Sequence, residues 1–201
     1  MHTKGGLVVS KKEMTKVRVD GKLLPVTLVE VLPQKVLRYK TTENDGYQAV
    51  VVGVGEKETK KEKGQKLAYD LQTEFFVDDS FVTANEIGKV LDVSFLEGIT
   101  TVEVKGTSKG KGFQGAIKRF HLKGGPKTHG SKFHRHVGSM GNRKPRRTMK
   151  NHPHAGHMGD EAITLKKIQL LDTIQRDSEQ LLVVRGSLPG GRNSKLKFII
   201  E

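Results

Sequence analysis

Hydrophobic positions in this chain fall into short runs of strand length, and no stretch of 12 or more residues keeps a helical period. Leu24-Pro25-Val26-Thr27-Leu28-Val29-Glu30-Val31 and Tyr47-Gln48-Ala49-Val50-Val51-Val52-Gly53-Val54 are rich in β-branched residues and read as strands. Val102 and Val104 alternate with Thr101, Glu103 and Lys105, the pattern of a half-buried strand. Ile163 and Leu165 share one parity and Ile168 and Leu170 the other, so the face must switch at Lys166-Lys167, which predicts a β-bulge. Leu181-Leu182-Val183-Val184 and Leu196-Lys197-Phe198-Ile199-Ile200 complete the series, on either side of the turn-rich Pro189-Gly190-Gly191-Arg192-Asn193-Ser194. Short strands punctuated by turns predict a mainly β fold, a closed or nearly closed barrel that leaves no exposed sheet edge. The mixed-charge stretch from Gly55 to Lys66 predicts a solvated loop.

Composition narrows this picture. At 201 residues, one domain with an appendage is expected, and with 34% hydrophobic and 5% aromatic residues its core must be lean. No apolar run approaches the roughly 20 residues of a bilayer-spanning helix. Met1-His2-Thr3-Lys4-Gly5-Gly6 leads into only a few apolar residues, so no secretory signal is expected. The chain has no cysteine, which excludes disulfide scaffolds, thiolate zinc sites and cysteine nucleophiles.

Charge changes the picture most. The formal net charge is +14, and all of it belongs to one segment. Val104 to Gly159 contains 14 Lys+Arg and no Asp or Glu, which leaves 22 basic and 22 acidic residues in the rest. The segment also holds seven of the eight histidines and 11 of the 23 glycines. A merely soluble surface mixes both signs. Exclusion of every carboxylate is expected of a surface that lies against phosphates. A flexible basic linker would be lower in complexity, whereas this segment spaces Phe113, Ile117, Phe120, Phe133, Val137, Met140 and Met149 among its cations.

Most chemical motifs in the segment fail on inspection. Gly110-Lys111-Gly112-Phe113-Gln114-Gly115 matches a dinucleotide-binding fingerprint, but the acid that should follow roughly 20 residues later is missing, as is the surrounding βαβ alternation. These glycines serve either turn geometry or close approach of backbone N–H groups to phosphates, or both. His129, His134 and His136 form one histidine group and His152, His154 and His157 another. No nearby carboxylate or cysteine would complete or orient a metal site, and the surrounding cations would repel the ion. Imidazoles in this setting suit phosphates, 2′-hydroxyls and base stacking, or simple packing. Ser131 and Ser139 have histidines near in sequence but no acid to orient them, so no catalytic triad is expected. Neither an enzyme nor a cofactor is expected.

The segment carries longer motifs. Gly106-Thr107-Ser108-Lys109-Gly110-Lys111-Gly112-Phe113-Gln114-Gly115, Ile117-Lys118-Arg119, Gly124-Gly125-Pro126, Thr128-His129-Gly130-Ser131, His134-Arg135 and Gly138-Ser139-Met140-Gly141 strongly resemble the signature of universal large-subunit ribosomal protein three. So do Ala155-Gly156-His157-Met158-Gly159, Leu181 to Gly186 and Leu188-Pro189-Gly190, with Met14-Thr15, Pro25-Val26-Thr27 and Asp45 to Val50 nearer the N-terminus. The likeness covers nearly the whole chain, and the chain's short length resembles the bacterial or organellar form rather than the longer archaeal and eukaryotic one. There are departures. Glu13 stands where the family often has Gly before Met-Thr, Val137 replaces a usual Pro, and Pro145-Arg146 a usual Pro-Gly. His157 occupies the position of a Gln methylated in some bacterial members, and Asn151-His152-Pro153-His154 replaces a more lysine-rich stretch.

The resemblance implies a structural constituent of the large ribosomal subunit: a translation-protein-like β-barrel built from residues 1–103 and 160–201, and a long, irregular, Gly/His-rich arm at 104–159 that enters large-subunit rRNA. It further implies a role in early subunit assembly and an arm directed toward the peptidyl-transferase centre. The expected partners are 23S-type rRNA and neighbouring large-subunit proteins, with no membrane or small-molecule substrate, in the cytoplasm. RNA contacts are expected from Lys105, Lys109, Lys111, Lys118, Arg119, Lys123, Lys127, His129, Lys132, His134, Arg135, His136, Arg143, Lys144, Arg146, Arg147, Lys150, His154 and His157. The rival expectation is a free-standing RNA-binding or RNA-chaperone module that shares the fold.

Overall fold

The structure, a computed structural model, describes residues 5–19, 21–57, 69–96, 98–139, 147, 149–176 and 179–200. In chain order its elements are β1 (Gly5–Val19), β2 (Lys22–Val31), β3 (Gln34–Lys40), α1 (Thr42–Asp45), β4 (Ala49–Glu56), β5 (Tyr69–Phe76), α2 (Asp79–Ala84) and β6 (Val90–Leu91). A 3-10 turn (Val93–Leu96) precedes β7 (Thr101–Thr107). Then follow β8 (Gly112–Gln114), α3 (Ala116–Phe120), β9 (Gly156–Met158), β10 (Ala162–Arg176), β11 (Glu179–Arg185) and β12 (Lys195–Ile200). The fold is mainly β. No described helix is long and apolar enough to cross a membrane.

The chain divides into two compact units, residues 1–107 with 162–201, and residues 108–161. In the first, six antiparallel strands run in the order β1-β12-β7-β10-β11-β2, and β2 returns to β1 so that the ring closes. Closure joins the two ends of the chain, with Gly5 opposite Ile200 and Leu7 opposite Phe198. The parity switch in β10 is a bulge: Leu165 faces Val104 and Ile168 faces Val102, and the register shifts between them. Lys167 takes φ 55° there, so the extra residue returns Ile168 to the side of the core.

A second sheet, β5-β4-β3-β6, packs on the barrel, and both share one core. This explains why Leu7, Val8 and Val9 are all fully buried, although neighbouring residues in a strand point opposite ways. Gln34 joins the layers. Its side chain is 1% exposed, accepts from the Val8 N–H at 2.9 Å and donates to the carbonyl of Leu32. A buried amide has to be satisfied in this way, or it costs about 1–3 kcal/mol.

Of this sheet the sequence pattern identified only β4, displaced by two residues. The alternation in β5, with Leu71, Thr73 and Phe75 inward and Asp70, Gln72 and Glu74 outward, is regular but polar enough to pass unnoticed. Gly55 and Glu56 belong to β4 rather than to a loop, and residues 58–66 of the expected loop lie outside the described residues. The expected boundaries at 103/104 and 159/160 also shift. β7 continues through Thr107 and β10 begins at Ala162, so Val104 to Thr107 are barrel strand. Glu103 is not on a solvent face as the alternation suggested. It is 8% exposed, with its carboxylate 3.2 Å from the Lys105 ammonium.

Candidate nucleic-acid interface

The unit formed by residues 108–161 contains little regular structure among its described residues: the short β8–β9 pair and one turn and a half of helix in α3. Backbone hydrogen bonds close it at several places. Ser108 N–H donates to Glu161 O at 2.9 Å, Lys111 N–H to Met158 O at 2.9 Å and Gly125 N–H to His134 O at 3.0 Å. Two of these closures depend on glycine. A Cβ on Gly125 would overlap the Phe133 carbonyl oxygen, and one on Gly159 would overlap that of Lys109. Gly159 also has φ 76° and is followed by Asp160 at φ 54°, while His129 at φ 62° precedes Gly130 at φ 71°. Left-handed pairs of this kind turn the chain sharply without a packed core.

Among the described residues of this unit, Ala116 is the only apolar side chain that is buried. Phe113 is 78% exposed and Met149 62%, and Phe120, Leu122 and Phe133 are exposed as well. An isolated domain of this length would have to offset its ordering entropy with apolar burial. Here that burial is missing.

Of the expected contact residues, Lys109, Lys111, Lys118, Lys123, Lys127, His129, Lys132, His134, Arg135, His136, Arg147, Lys150 and His157 lie in this unit and are exposed. Among the described residues none of its lysines or arginines forms an ion pair. The other unit contrasts with this. There Lys12 is 2.8 Å from Glu30, Lys40 is 2.7 Å from Glu74, and Asp70 lies between Lys195 and Lys57. The bonds from Lys195 and then Lys57 hold the Asp70 carboxyl down to about 2.

Three groups of expected contacts stand apart. Lys105 belongs to β7 and is engaged by Glu103, outside the unit formed by residues 108–161. Arg119 and His154 are part-buried and bound to each other, Arg119 Nη1 donating to the His154 carbonyl at 3.2 Å. Arg143, Lys144 and Arg146 lie outside the described residues. The His154 Nε2 atom is buried without a hydrogen-bond partner, and its ring stands 5.2 Å from that of His152. His134 Nδ1 donates to Pro126 O at 2.9 Å. Among the described residues no three His, Asp or Glu side chains are close enough together to hold a metal ion.

Sequence reading passed over Phe113 as a contact. It pairs with His157 across β8 and β9, and cross-strand partners share a face, so an exposed ring and an exposed imidazole lie side by side. Its position between the glycines of Gly112-Phe113-Gln114-Gly115 was the available signal.

A chain whose described residues between 108 and 159 present unpaired cations and exposed rings, with no acid among them and almost no core, has close relatives. A family model described as Ribosomal protein L3 matches residues 58–181. A protein of Oceanobacillus iheyensis named large ribosomal subunit protein uL3 is 39% identical over 202 residues, covering 96% of this chain and 95% of its own. Proteins of the same name from Bacillus cytotoxicus and Dehalococcoides mccartyi are each 41% identical over 198 residues, with 94% of this chain covered and 93% and 94% of theirs. With such a match over nearly its full length, the chain belongs to the ribosomal protein L3 family, whose members are structural proteins of the ribosome and not enzymes.

Proposed function

We propose that this chain binds large-subunit rRNA through residues 108–161, together with the neighbouring cations, and so helps the subunit assemble. The observation that carries the reading is the set of ten described lysines and arginines in that unit, none of them ion-paired, around one buried apolar residue. Such a unit gains its ordering energy from a partner. Phosphates supply it through neutralisation and counterion release, and exposed Phe113 and Phe133 offer faces on which bases stack. Open space beside Gly115, Gly130 and Gly138 admits close backbone approach of a folded RNA.

From the family resemblance we extend the proposal to an arm spanning 108–161 that reaches toward the peptidyl-transferase centre, to early binding during assembly, and to a cytoplasmic location within the ribosome. The outward barrel surface would then meet neighbouring large-subunit proteins. The arm's chemistry is neutralisation: it lets RNA helices approach one another where their phosphates would otherwise repel.

The test is quantitation of the chain by mass spectrometry across a sucrose gradient of native lysate, in low and high salt. Stoichiometric retention in the large subunit through the high-salt wash is expected. Loss of the chain under high salt, or a substoichiometric amount, would overturn the reading in favour of a free-standing RNA-binding module.

A further inference from the structure

Like charges face each other on the outer side of the barrel. Lys197 on β12 is the direct cross-strand partner of Lys105 on β7, and Lys105 is also the partner of Thr164 on β10. Cross-strand partners share a face, with Cβ atoms about 4.5–5.5 Å apart. The chain neighbours Val104, Leu196 and Phe198 are buried in the core, so this row of one hydroxyl and two ammonium groups lies on the opposite, outward face. Like charges in directly opposed positions destabilise a sheet.

The carboxylates nearby are already engaged. Asp70 lies between Lys57 and Lys195, Glu74 is bonded by Lys40, and Glu103 is 3.2 Å from Lys105. Glu103 takes up one of the three donors of the Lys105 ammonium, whose side chain remains half exposed. The Lys197 ammonium has no ion-pair or hydrogen-bond partner among the described residues, although the residue is only partly exposed. Burial holds it below the ordinary lysine value; Glu74 acts against that shift and Lys105 adds to it.

We propose that Lys197, Lys105 and Thr164 form a seat for one phosphate group. Its oxygens accept from both ammonium groups and from the Thr164 hydroxyl, and its charge turns the repulsion between the two lysines into a bridge. Three donors on three adjacent strands suit the several oxygens of a phosphate better than the two of a carboxylate. The seat lies wholly in the barrel unit, includes no residue of 108–161 and does not depend on the rRNA reading. An RNA backbone and a free phosphate ion share this chemistry, and the test separates them.

The test begins with the free chain, unfolded thermally in inorganic phosphate and in chloride of equal ionic strength. Phosphate stabilises proteins in general through its exclusion from their surface, so the comparison is between variants. The parent should gain melting temperature in phosphate, and Lys16→Gln should gain as much, Lys16 being an exposed lysine opposite Pro25 in β2. Lys197→Gln should need about tenfold more phosphate for the same gain, the loss of one charge-assisted hydrogen bond. Thr164→Val should need about threefold more, the loss of a neutral one. In chloride Lys197→Gln should be at least as stable as the parent, because the repulsion is gone. Equal gains in the parent and Lys197→Gln, an equal loss of gain in Lys16→Gln, or a Lys197→Gln variant less stable in chloride would overturn the inference.

Retention in salt-washed large subunits then identifies the source of the phosphate. A several-fold loss for Lys197→Gln gives the seat to an RNA phosphate. Unchanged retention, with the phosphate gain lost, gives it to the free ion. Failure of the rRNA reading looks different, because the chain would be absent from large subunits while its response to phosphate still tested the seat.

Discussion

Arg119 in α3 donates from Nη1 to the backbone carbonyl of His154, just before β9, 35 residues further along the chain. The guanidinium also lies over Gly156, where a Cβ would come within 2.7 Å of Nη1, and 5.1 Å from the Phe120 ring. In a unit with almost no core, this one side chain does what packed apolar residues do elsewhere. Arg119 is therefore an internal tie, and the neighbouring Lys118 is an exposed cation.

Arg119→Ala should weaken retention of the chain in salt-washed subunits several-fold more than Lys118→Ala, although each removes one positive charge. Arg119→Lys should restore only part of the loss, since an ammonium lacks the planar fork. Equal losses for Arg119→Ala and Lys118→Ala, measured by mass spectrometry of washed subunits, would reduce Arg119 to an ordinary phosphate contact.

The two units should answer proteases differently. Trypsin acting on the free protein is expected to cut between Lys109 and Lys150 well before it cuts the barrel, because only Ala116 is buried among the described residues of that unit. In assembled subunits the same sites should be protected. Equal resistance of both units in the free protein would contradict the dependence of residues 108–161 on RNA.

Gly6 sits where β1 meets β12 and the second sheet, and a Cβ there would overlap both the Phe198 carbonyl and the Phe75 ring. Gly6→Ala should destabilise the free protein by about 1–3 kcal/mol, the usual cost of overfilling a packed site. Gly191→Ala, with nothing within 4 Å of the added carbon, should stay within about 0.5 kcal/mol. Urea unfolding of both variants distinguishes the two sites.

Asp70 has a folded-state value of about 2, below its ordinary value of 3.8, because Lys195 and then Lys57 bond its ionised form. A depressed carboxylate contributes its stability above the unfolded value and loses it as pH falls through the folded one. Asp70→Asn should therefore lower the melting temperature at pH 7. The difference from the parent should shrink from pH 4 downward and vanish near pH 2. A difference independent of pH would mean that the substitution acts through packing.

Several elements were legible because their signal is local. The two parities on either side of Lys166-Lys167 placed the β10 bulge to the residue. The β-branched run of β2 and the strands β7, β11 and β12 lie where alternation and turn residues put them. The offset in β4 and the strands β1, β3, β5 and β6 were not legible in this way, nor was the short β8–β9 pair. Their own patterns are either buried on both faces, as at Leu7 to Val9, or largely polar, as at Gln34 to Lys40, so alternation does not mark them.

By itself the sequence determined where the charge lies, which strands alternate and which family the motifs resemble, since all three depend on residue type and spacing along the chain. Only the tertiary structure decided that Gly5 meets Ile200 to close the ring. It also decided that Gln34 bonds across two sheets and that Arg119 is held by His154. These relationships join residues that are far apart or lie on separate elements, and their energies come from burial and hydrogen-bond geometry that exist only once the chain has closed on itself.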